Sequence, residues 1–80
     1  MQRIFTVVIE RDRESGWLLG AVVELPGCHT EAPDLVALGA NVREAIRVYL
    51  ETVDLAEAEP FNEFVGTMQV EMPVDFRVPA

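Results

Sequence analysis

The sequence predicts an α+β fold of the order β-β-β-α-β, a single largely antiparallel sheet with one helix packed on one face. Three observations carry the prediction. Runs rich in β-branched, aromatic and other apolar residues occur at 3–10, 17–24 and 65–74, and side chains alternate across a strand, so such runs make two-faced ribbons. Between 35 and 53 the apolar residues recur instead every three or four positions, which is the spacing of one helix face. Between these regimes stands Leu25-Pro26-Gly27-Cys28. There proline fixes φ and withholds a ladder donor while glycine supplies angles that other residues avoid, so the chain is forced to turn a corner.

Taken in order, residues 3–10 form the first strand, with Phe5, Val7 and Ile9 on one face and Ile4, Thr6 and Val8 on the other. Both faces are largely apolar, so this strand is expected to be covered on two sides, by the helix and a partner subunit or by a central place in the sheet. The polar stretch 11–16 ends in Gly16 and reads as a hairpin loop. The second strand, 17–24, places Trp17, Leu19, Ala21 and Val23 opposite Leu18, Gly20, Val22 and Glu24, with Gly20 marking a bulge or a close approach. After the corner, 28–31 forms a short third strand.

Asp34 is placed to cap the helix, its carboxylate accepting from free backbone N–H groups. Leu35, Leu38, Val42, Ala45, Ile46, Tyr49 and Val53 make the buried stripe of about five turns. Arg47 and Glu51 stand at i,i+4 on the solvent side, and Gly39 is read as permitting close packing on the sheet. An acidic turn follows and Pro60 ends any further helix, with Phe61 and Phe64 anchoring the turn to the edge of the core. In 65–74, Met68, Val70 and Met72 alternate with Thr67, Gln69 and Glu71, which predicts a half-buried last strand. The whole chain, 1–80, is one domain with its core in 3–74 and a short tail at 75–80.

Eighty residues bury only about 60% of their unfolded surface, so oligomerisation, a dimer or higher, is expected to supplement the core. Fourteen acidic residues face six arginines, there is no lysine, and the formal net charge is −8. Such a surface repels phosphate backbones and disfavours direct nucleic-acid binding, whereas a basic protein partner suits it. No apolar run approaches the roughly 20 residues of a membrane span. The N-terminal residues run straight into a strand pattern, and the expected location is cytoplasmic, consistent with one unpaired cysteine.

Cys28 and His29 are the only thiol and imidazole. As strand neighbours they point to opposite faces, so they make neither a nucleophile–base pair nor a metal site within one chain. Cys28 is read as a small buried residue and Trp17 as a core or interface aromatic. No phosphate-binding glycine loop or catalytic triad order is present. No enzyme activity, metal or cofactor is expected.

The hairpin with Gly16 and Trp17 at its turn, the corner Pro26-Gly27-Cys28, and a helix carrying Asn41, Glu44 and Ala45 together resemble the HicB-like antitoxin domain over roughly residues 3–53. The resemblance implies a partial ribonuclease-H-like layer without nuclease activity. It also implies a role in binding and neutralising a small basic toxin ribonuclease. The chain departs from the family pattern at Ala32-Pro33-Asp34, where many members have Gly-Asp-Thr, and at Ala37-Leu38, where Glu-Ala is frequent. Many such antitoxins append a DNA-binding module, and nothing after Val74 is long enough to build one, so autoregulation by direct DNA binding does not carry over. On this reading Glu10, Asp12, Glu14, Glu24 and Glu31, at and near the hairpin tip, form the surface that meets the partner. The alternative is a solitary oligomeric structural or regulatory domain of the same fold.

Overall fold

The computed structural model describes residues 3–53 and 62–75. Three strands, β1 (Val7–Arg11), β2 (Leu18–Val22) and β3 (His29–Ala32), form one antiparallel sheet in the order β1-β2-β3, followed by the helix α1 (Leu35–Thr52). This is the expected α+β architecture, with the helix laid over β3 and β2. Leu18, Val22, Leu25, Cys28, Ala32, Leu38 and Val42 are the buried centre, and Ala45, Ile46, Tyr49 and Leu50 pack around it from the helix.

Each boundary has a local cause. Gly16, with φ +78°, closes the hairpin tip: its N–H donates to the Asp12 carbonyl at 2.7 Å, and the Asp12 N–H donates to the Trp17 carbonyl at 2.8 Å. After β2 the chain makes two successive turns, Leu25 N–H to Val22 C=O at 3.3 Å and Cys28 N–H to Leu25 C=O at 2.9 Å. Gly27 has φ +85° and follows proline, the pairing a type II turn requires. The corner carries Leu25 and Cys28 inward, so it plugs the end of the core. Asp34 Oδ1 accepts from the Ala37 N–H at 2.8 Å and starts the helix as expected.

Of the two readings of Gly20, a bulge or a close approach, the close approach is found, whereas the close packing on the sheet expected at Gly39 is not. Gly39 is exposed and no atom outside its own stretch of helix comes within 4 Å of where its Cβ would stand. At Gly20 a Cβ would meet Val7 Cγ1 at 3.2 Å, Leu38 Cδ1 at 3.3 Å and Val42 Cγ2 at 3.4 Å. The sheet therefore supplies the bare position against which the helix packs, and the register runs through Gly20 without a bulge.

Other expectations are corrected. The ladder of the first strand begins at Val7, and β1 is an edge strand: no strand among the described residues lies beyond it, so Ile9 on the helix side is exposed, while Val8 is exposed on the open face. Leu35, in the first helical turn, projects past the sheet and is exposed. Residues 65–74 form no strand: all of 62–75 is exposed, and Phe64 takes no part in the core. A period of two makes a segment capable of pairing, but pairing needs an edge, and no edge of this sheet meets it here. The acidic turn with Pro60 and Phe61 and the residues after Asp75 lie outside the described residues.

Candidate functional site

The helix covers one face of the sheet and leaves the other open. On the open face the register aligns Val8, Ala21 and His29 in one row and Glu10, Leu19 and Glu31 in the next. These six side chains line a shallow depression of about 600 Å³. Trp17 continues the β2 alternation toward the hairpin and is 42% exposed, while Leu19 is 37% exposed. Alternation sends Leu18, Gly20 and Val22 to the core and Leu19 and Ala21 outward, so a short apolar strip runs along the middle of an open face. Glu10 and Glu31 flank Leu19 from the two neighbouring strands, their backbones roughly 10 Å apart by strand spacing. That separation leaves two independent carboxylates on the open face.

The five expected contact acids thus divide. Glu10 and Glu31 come together across Leu19, whereas Asp12 and Glu14 stay at the hairpin tip, where Asp12 Oδ1 accepts from the Glu14 N–H at 2.9 Å. Glu24 leaves the set. It is 8% exposed, and its Oε1 accepts the Thr6 N–H at 2.7 Å, while Thr6 C=O accepts the Val23 N–H at 2.9 Å. Its carboxylate therefore stands in for the missing ladder acceptor at the end of the β1–β2 pairing. Burial pushes its carboxyl upward, but hydrogen bonds from Thr6 and from its own backbone outweigh this and leave it below the usual carboxylate range. Glu24 is a fastener of the fold, too committed to meet a partner.

A second depression, about 570 Å³, lies between β3 and α1 and is bordered by Gly27, Cys28, His29, Thr30, Asn41, Glu44, Ala45, Val48, Tyr49 and Thr52. The corner and the helical Asn41, Glu44 and Ala45, far apart in the chain, meet here. Asn41 Nδ2 donates to the Glu31 carbonyl at 3.1 Å. Both Glu44 oxygens accept from Arg47, which also reaches Glu51 Oε1 at 2.5 Å. The bond from Arg47 and its charge lower the Glu44 carboxyl and hold it ionised. Cys28 is buried, which raises its thiol and leaves it a poor nucleophile, and His29 stands on the exposed side of the strand. No group of three or more His, Cys, Asp or Glu among the described residues could hold a metal ion. No helix among them is long and apolar enough to cross a membrane.

The open apolar strip was not singled out from the sequence, although the alternation in 17–24 contained it. The sequence pattern shows which residues share a face but not which face the helix takes. The edge role of Asn41 had no local signal.

Comparison with known proteins gives consistent relatives. The chain is 44% identical over 68 residues to a UPF0150 protein of Archaeoglobus fulgidus, covering 85% of this chain and 93% of the relative. It is 38% identical over 66 residues to one of Synechocystis, covering 82% and 90%. A Thermotoga maritima UPF0150 protein is 31% identical over 72 residues, covering 90% and 93%. No family model matches the chain, and no solved structure matches it.

Proposed function

This chain belongs to the UPF0150 family, and from that premise we propose that it is a non-catalytic, HicB-like binding protein that neutralises a small basic toxin ribonuclease by covering it. The observation that carries the reading is the open sheet face. Val8, Leu19, Ala21 and the exposed Trp17 form an apolar centre, and Glu10 and Glu31 stand at its sides. An interface with an aromatic and aliphatic centre and a charged rim is the usual anatomy of protein recognition. The net charge of −8 selects a basic partner and speeds encounter with it. The cleft at β3 adds a second place for a partner side chain, and its lining includes Gly27, Cys28, Asn41, Glu44 and Ala45, five of the residues on which the HicB-like resemblance rests.

Capture of the tagged chain from its native cells at low salt, followed by mass spectrometry, tests this. A stoichiometric small basic protein that is released by salt, and that cleaves RNA only when freed of this chain, is the expected result. The double variant Glu10→Arg and Glu31→Arg should lose the partner while keeping the fold. Retention of the same partner by that variant would remove the open face from the mechanism. A second reading, the same domain as a self-assembling unit without a toxin, is favoured by the uncovered apolar residues of 62–75. Recovery of only copies of the chain would select it.

A further inference from the structure

We propose that the segment 65–74 of a second copy of this chain adds as a strand to the free edge of β1, with its methionine and valine face in the groove between β1 and α1. The two edges of the sheet differ. Cys28 C=O accepts the Val22 N–H, so by alternation Cys28, Thr30 and Ala32 bond to β2, and His29 and Glu31 turn their backbone groups outward. The outward carbonyl of Glu31 is already taken by Asn41. On β1, Thr6 and Asp12 bond toward β2, so Val7, Ile9 and Arg11 present their N–H and C=O groups to the free edge. Among the described residues no helix side chain bonds to these groups as Asn41 bonds to β3.

Beside that edge lies a groove of about 510 Å³, floored by Phe5, Val7, Val42 and Ile46 and rimmed by Arg43, with Gly39 leaving its helical wall bare. The segment matches it in three respects. Its period of two puts Met68, Val70 and Met72 on one face, and these are exposed, Met68 by 85%. Residues 62–75 carry Glu63, Glu71 and Asp75 and no cation, so the segment is complementary to an arginine-rimmed groove on an otherwise acidic protein. Pro73, which cannot donate to a ladder, sits at the end of the run and would lie on the new outer edge, where proline is tolerated.

The occupant is a second copy because the segment does not lie on its own chain. None of its residues joins the core, and all of 62–75 is exposed. Exchange of an identical element between protomers is a common route to a two-fold dimer, and both copies would gain a fourth strand. The proposal goes beyond the toxin-binding reading and does not depend on it.

Sedimentation equilibrium of the full chain at micromolar concentration tests the proposal. The expected result is a dimer that Val70→Pro weakens by roughly tenfold or more, since proline removes a ladder donor within the added strand. Gly39→Leu should weaken the dimer comparably by filling the groove, while helix content and thermal stability are kept or raised, an outcome that general unfolding does not produce. Ile9→Cys and Val70→Cys on two differently tagged chains should form a disulfide-linked heterodimer on mixing. A monomeric wild type, a dimer indifferent to both Val70→Pro and Gly39→Leu, or a doubly substituted chain that closes only on itself would each overturn the proposal.

Discussion

The β3 side and the β1 side of this sheet are built from similar strands and finished differently. At β3 the helix covers the inner face, Ala32 is fully buried, and Asn41 occupies an outward carbonyl of the edge. At β1 no helix lies directly above, and Ile9, on the helix side, stays exposed. The chain fastens this side at one end, through the Glu24 carboxylate on the Thr6 N–H. One helix of 18 residues is about 27 Å long; it lies over β3 and β2, and toward β1 its Gly39, Val42, Arg43 and Ile46 only border an open groove.

The comparison predicts unequal costs. Leu38→Ala removes the helix side chain that is 2% exposed and should cost about 2–5 kcal/mol, read as a lower urea midpoint. Ile9→Ala on the uncovered side should cost about 0.5 kcal/mol. Equal losses would mean that β1 is covered in solution even in the monomer.

Gly20→Ala should cost about 1 kcal/mol. The added methyl presses on Val7, which borders the groove and can yield into it, and on Leu38, which is buried and cannot, while Val42 stays at ordinary contact distance. The reduced freedom of the unfolded chain returns part of that loss, and a stability gain would show that the helix shifts to make room. Asn41→Ala should lose about 0.5–1 kcal/mol and, by freeing the Glu31 carbonyl, make the β3 edge prone to self-association, visible as higher-order species in light scattering. If the variant stays as discrete as the wild type, the edge is protected by something other than Asn41.

The smallest effect is a pH dependence. The Glu24 carboxyl is lowered in the folded state relative to about 4.3 when unfolded. The unfolded chain therefore binds the proton first as pH falls. The stabilisation is complete above the unfolded value and is lost as pH drops through the folded one. Glu24→Gln should flatten the acid limb of the stability profile by no more than one proton's worth. An unchanged limb would assign it to other carboxylates.

Much of the fold was legible because its causes are local. The hairpin, the Pro26-Gly27 turn, the Asp34 cap and the helix all follow from neighbours within a few residues of one another. The site was legible only in parts. Glu10 and Glu31 could be read as strand carboxylates, but their place on either side of Leu19 depends on register between three strands. Glu24 had the same signature as those two acids, and only its position beyond the end of the ladder, against Thr6, turned it inward. Asn41 looked like a polar residue on a helix face until β3 was laid beside it.

By itself the sequence determined the first three strands and the helix, the turns that join them, and a net charge of −8. Tertiary structure alone decided which of Gly20 and Gly39 lies under the helix, which edge is capped, and that 65–74 finds no place in its own sheet. The reason is physical: periodicity and capping are short-range properties of the chain, while register, coverage and edge pairing depend on which distant groups meet. A segment can therefore carry the full pattern of a strand while lacking the neighbour that would make it one.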